Sequence, residues 1–108
     1  MKIILLESDY SKCLEGIEEL KFLKIDAEPK RIQILSEPFL ILTRIGYQPA
    51  VRIKIKKTKQ DFVLFISPKT LSIQLEDLRM ENNSQFVGLE FWIRKESYER
   101  TAPYIIDI

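Results

Sequence analysis

Five basic side chains stand within eight residues: Arg52, Lys54, Lys56, Lys57 and Lys59. Val51, Ile53 and Ile55 alternate with the first three. A strand here sends its apolar set to one face and Arg52, Lys54 and Lys56 to the other. The chemistry open to such a face is the holding of an anion, above all a run of phosphates. The plain alternative is a solvated strand face whose lysines deter edge-to-edge aggregation. From Arg44 to Lys69, seven basic residues (Arg44, Arg52, Lys54, Lys56, Lys57, Lys59, Lys69) stand against one acid, Asp61, in a chain of net charge +1. The positive charge is therefore local, and its placement matters more than the total.

A second set lies in "QFVGLEFWIRK". Read as one strand, it turns Val87, Leu89, Phe91 and Ile93 inward and Phe86, Gly88, Glu90, Trp92 and Arg94 outward. A tryptophan on the polar face is either a stacking platform or a residue packed beneath a covering helix. With Arg94, Lys95 and Arg100 near it, the first reading gives the mixed aromatic and basic surface that single strands use. Stacking there is worth about 1–3 kcal/mol per base and tolerates any base. Tyr98, in a loop between Lys95 and Arg100, is a further stacking candidate. The expected nucleic-acid-binding set is Arg52, Lys54, Lys56, Lys57, Lys59, Trp92, Arg94, Lys95, Tyr98 and Arg100.

Catalysis finds little support. The chain has no histidine, which removes histidine general-base chemistry and most zinc sites. Three glycines make no phosphate-cradling loop, Glu76 and Asp77 are adjacent and point apart on a helix, and Ser67 has no base. Neither an enzyme nor a cofactor nor a metal is expected. Cys13 is the single cysteine, so no intrachain disulfide forms, and a reducing, cytoplasmic location is expected. "MKIILLES" is too short for a signal core or a membrane span, so no membrane association is expected. Richness in Ile, Lys and Glu suits a thermophile and equally an AT-rich genome.

These residues need elements to position them. Leu6, Tyr10, Cys13, Leu14, Ile17 and Leu20 recur at helical spacing in an acidic segment, which predicts an N-terminal helix. From Arg31 the period becomes two. "RIQIL" and "FLILTRI", interrupted by Pro38, read as one long bent strand. "GYQPA" reads as a turn, "VRIKIKK" as a half-buried strand and "KTKQD" as a turn. "FVLFI" is apolar on both faces, so both must be covered. Ser67 as N-cap and Pro68 at the first helical position predict a helix over "SPKTLSIQLEDLR" with Leu71, Leu75 and Leu78 inward. The same segment also alternates at Leu71, Ile73 and Leu75, as a strand would. The "QFVGLEFWIRK" strand, the "ESYERT" loop and a final "PYIIDI" strand complete the chain. The fold class is mostly β with helices (α+β): an N-terminal strand or helix extension over 1–30 and a small five-stranded OB-like barrel domain over 31–108, with a helix between strands 3 and 4; a generic α+β sandwich is the competing reading.

"GLEFWIRKESYERTAPYIIDI" resembles the closing hairpin of OB-fold single-stranded-DNA-binding proteins, which run from a glycine-preceded strand through "IRK" and back to a tyrosine-containing strand. The element order from Arg31 is that of an OB-fold. The resemblance implies sequence-tolerant, non-catalytic binding of single-stranded DNA or RNA, with Arg52, Lys54, Lys56, Trp92 and Arg94 on the groove. The departure is charge: acidic residues gather at the N-terminus, with no long acidic C-terminal tail. Two alternatives stand beside it. One is a protein-interaction module or small homodimeric subunit, pairing through an edge strand or the acidic helix; the other is a viral or plasmid-encoded protein of another class.

Overall fold

The computed structural model describes residues 3–5 and 20–108. The N-terminal helix predicted to end before Asp26 lies, with Cys13, outside the described residues except at 20–25, where the chain is not helical and instead bonds to Val63. Among the described residues, seven strands form one antiparallel sheet: β1 (Ile3–Leu5), β2 (Lys30–Ile34), β3 (Phe39–Thr43), β4 (Gly46–Ile55), β5 (Asp61–Phe65), β6 (Glu90–Lys95) and β7 (Tyr104–Asp107). A helix, α1 (Lys69–Glu81), follows β5. The spatial order is β1-β3-β4-β2-β6-β7, with β5 on the other edge of β4.

The bent first strand is visible in the register. Ile53 of β4 pairs with both Ile34 and Phe62, and Ala50 pairs with both Phe39 and Phe65. β2 and β3 therefore share one edge of β4, and β5 holds the opposite edge. From Ile34 to Phe39 the chain advances five residues while β4 retreats three, from Ile53 to Ala50. The surplus forms a bulge ending at Pro38, which has no N–H to give the ladder. Ser36 is buried in this bulge, and its hydroxyl accepts the Arg52 N–H at 2.9 Å. The carboxylate of Glu37 accepts the N–H groups of Phe86, at 2.9 Å, and Val87, at 2.8 Å, tying the bulge to the segment ahead of β6.

Alternation along each strand builds the core. Ile32, Ile34, Val51, Ile53, Leu64, Phe91 and Ile93 face the helix, where Leu71 and Leu75 close over them. Phe39, Ile41, Ala50 and Val63 form a smaller cluster on the opposite face, with Leu20 and Phe65 packed against it. "FVLFI" is thus covered on both sides, as its composition requires. Full burial of a Phe, Ile or Leu side chain contributes about 1.5–3 kcal/mol, which makes these two clusters the main source of stability.

Several expectations need correction. The sheet does not close into a five-stranded barrel. The outer edge of β7 is filled by the helix: Thr70 Oγ1 accepts the Tyr104 N–H at 3.1 Å and Gln74 Oε1 accepts the Ile106 N–H at 3.0 Å. Gln74 Nε2 also donates to the Tyr104 carbonyl at 2.8 Å, so one glutamine acts as the missing strand. The outer edge of β5 is filled by residues 21–23, through Leu23 N–H to Val63 O at 2.8 Å and Val63 N–H to Lys21 O at 2.9 Å. Both edges that a barrel would join are already hydrogen-bonded. The helix follows four strands counted from Lys30 rather than three, because the bulge splits the first in two.

"GYQPA" is not a turn but the start of β4; the turn is Arg44–Ile45, with Gly46 at φ +107° where a side chain would be strained. Ser67 does not cap α1. Pro68 is the N-cap residue, and its carbonyl accepts the Leu71 and Ser72 N–H groups. The strand expected from Gln85 begins only at Glu90. Gly88, at φ +95°, breaks the alternation ahead of it, so Phe86 is buried and Val87 exposed, the reverse of the expected pattern.

Candidate nucleic-acid interface

The sheet face away from α1 carries the residues singled out for chemistry. Lys54 pairs in register with Gln33, and Gln33 with Glu90, so these three form one row across β4, β2 and β6. The next row joins Arg31 to Trp92 and Trp92 to Asp107. Lys56 adjoins it just past the end of β4, its N–H bonded to the Arg31 carbonyl at 3.0 Å. Paired residues point to the same face, so the basic strand and Trp92 share one surface, with only β2 between them. Two strand spacings separate β4 from β6, about 10 Å.

Trp92 is 44% exposed, although its neighbours Phe91 and Ile93 are fully buried. Two shallow clefts flank it, and Pro29 and Trp92 line both. One, of about 340 Å³, is walled by Lys30, Arg31, Ile55 and Lys57; the other, of about 350 Å³, by Arg94 and Asp107. The Arg31 guanidinium lies 5.7 Å from the Trp92 ring centroid, within cation–π reach. The first cleft carries three cations, Lys30, Arg31 and Lys57, against one acid, Glu28, while in the second Arg94 faces Asp107. An apolar ring beside the first can stack a planar group and hold its attached anion.

The cations are not equivalent. Arg52 is bound to Asp61 by two hydrogen bonds, of 2.7 and 3.2 Å, in a pair whose side chains are only 20% and 23% exposed. Lys56 Nζ lies 3.0 Å from Glu90 Oε1, and Arg31 Nη2 donates to Glu90 Oε2 at 3.1 Å. Lys30 reaches Asp26 at 3.3 Å. Lys54, Lys57 and Lys59 make no ion pair among the described residues. Lys59 sits in the β4–β5 turn.

Arg94 lines the second cleft. Lys95 is on the opposite face: its ammonium lies 5.3 Å from the Tyr104 ring centroid and donates to the Arg100 carbonyl. Tyr98, 82% exposed, and Arg100 occupy the β6–β7 loop and line neither cleft. The face gathers Arg52, Lys54, Lys56, Lys57, Trp92 and Arg94 from the expected set. It adds Pro29 and Arg31, which only the pairing of β2 with β6 reveals.

Hydrogen bonds from Lys56 first and Arg31 second hold the Glu90 carboxyl below its ordinary value of 4.5. Arg79 does the same for Glu76, also from 4.5, and the Glu28 N–H, with Lys30, for Asp26 from 3.8. A carboxyl depressed by folding contributes stability that is complete above its unfolded value and is lost as pH falls through the folded one. Because these carboxyls are open to water, the melting temperature is expected to hold from neutral pH down to about 5 and to fall only slightly once the pH drops below about 4. A thermal melt series with no fall at acid pH would contradict these pairings.

Among the described residues, no group of three or more Cys, Asp or Glu side chains could hold a metal ion, and no helix is long and apolar enough to cross a membrane. No protein-family model, curated protein or solved structure matches the chain.

Proposed function

We propose that this protein is a non-catalytic, sequence-tolerant binder of single-stranded nucleic acid, using the sheet face of β4, β2 and β6, in the cytoplasm. The observation that carries the reading is the shared row of Arg31 and Trp92 beside Lys56: an exposed aromatic platform next to cations on neighbouring strands. Base stacking on Trp92 supplies sequence-independent affinity. Phosphate contacts from Lys54, Lys57, Arg31 and Arg94 supply the electrostatic part. The OB-fold resemblance rests on the residues of the final hairpin alone; the open sheet and the helix placed after four strands depart from it.

A second reading, a protein-interaction module or homodimer, is favoured by Leu42, Ile45 and Tyr47, which are exposed together at the β3–β4 hairpin. Salt dependence separates the two. Under the leading reading, the logarithm of affinity for single-stranded DNA falls with log salt at about −0.7 per phosphate neutralised. Lys54→Ala is expected to weaken binding equally across sequences and to flatten that slope by about 0.7. A Lys54→Ala protein with unchanged affinity and slope would remove this strand from the interface.

A further inference from the structure

We propose that the carboxylate of Glu90 stands where a ligand phosphate binds, competing for Lys56 and Arg31 and so limiting the affinity of the face. This rests on the nucleic-acid reading. Glu90 and Trp92 are two residues apart on β6 and point to the same side. Each carboxylate oxygen takes a cation from a different strand: Oε1 is 3.0 Å from Lys56 Nζ of the β4 end, and Oε2 is 3.1 Å from Arg31 Nη2 of β2. The two non-bridging oxygens of a phosphodiester make the same kind of contact. Arg31 also lies over the Trp92 ring, so an anion on Arg31 is adjacent to a base stacked on Trp92.

The pairs on this face differ in how readily they exchange. Glu90 is 33% exposed, Lys56 45% and Arg31 30%. Pairs this open to water hold little net energy and are readily exchanged for another anion. Arg52 and Asp61 are more buried and doubly bonded, and remain paired when ligand binds. Binding at Lys56 and Arg31 is thus an exchange of one anion for another. Ligands without a stacking group gain little from that exchange, which favours a single strand over a bare polyanion.

The test compares the intact protein with Glu90→Gln and Glu76→Gln. Both variants raise net charge by one, but Glu76 pairs with Arg79 on α1, away from this face. A short single-stranded DNA is titrated into each at two salt concentrations, with unfolding midpoints measured alongside. Glu90→Gln is expected to bind about tenfold more tightly at low salt. Its salt slope is expected to steepen by about 0.7, one phosphate's worth. Glu76→Gln is expected to match the unaltered protein. Equal or weaker binding by Glu90→Gln, or an equal gain in both variants, overturns the inference while leaving nucleic-acid binding intact. If none of the three binds, the nucleic-acid reading fails and the inference fails with it.

Discussion

Trp92→Ala is expected to cost about 1–3 kcal/mol in binding single-stranded DNA, the range for loss of one stacking platform. The loss should be similar for different base compositions, because stacking uses the π-face that every base has. It should leave the salt slope nearly unchanged, since no phosphate contact is removed. The fold should respond only moderately. Trp92 is 44% exposed, and its described ring contact is with Arg31 across the surface. Losing its half-covered ring is expected to cost about 1–2 kcal/mol of stability, less than emptying a core position. Binding isotherms and denaturant melts of the same preparation check both halves. A variant that binds as well as the parent would exclude Trp92 from the interface, and one that unfolds readily would make it a core residue instead.

Phe91→Ala, one residue away, is expected to do the opposite. Phe91 is fully buried, pairs with Ile32 and belongs to the main cluster that Leu71 and Leu75 close from the helix side. Truncating a buried phenylalanine leaves a cavity and costs about 3–5 kcal/mol. A small domain has about 5–15 kcal/mol in all, so the variant should unfold at much lower denaturant or fail to fold at 37 °C. Its effect on binding should follow the folded fraction alone. A loss below about 1 kcal/mol would mean the sheet does not pack as described. The pair of adjacent substitutions thus tests the orientation of β6 directly, because a one-residue slip in register would exchange their effects.

Sequence pattern carried much of this architecture. The alternation in "VRIKIKK" placed Val51 and Ile53 inside and Arg52 and Lys54 outside. The double-sided apolarity of "FVLFI" foretold two clusters: Leu64 and Phe62 meet one, Val63 and Phe65 the other. Pro38 marked the bulge, and Leu71 and Leu75 marked the inner face of α1. What the sequence could not show were facts about register between distant segments. Arg31 and Glu90 are 59 residues apart, and no local pattern places their side chains 3.1 Å from each other. For the same reason Pro29 and Arg31 were absent from the expected site.

Backbone conformation accounts for the other differences. The positive φ of Gly88 broke a period that looked continuous, so Phe86 turned inward. Barrel closure failed because Gln74 and Thr70 supply β7 with the hydrogen bonds a neighbouring strand would have made. Side-chain amides standing in for a backbone edge leave no periodic trace in a sequence. Lys95 was misplaced by proximity alone: it follows Arg94, but strand alternation sends it to the Tyr104 side.

The most direct test of the central claim uses the intrinsic fluorescence of Trp92, the only tryptophan in the chain. A short single-stranded DNA is titrated at low and moderate salt while its emission is followed. The expected result is saturable quenching, with affinity that weakens as salt rises. Absence of binding at low salt would contradict the account.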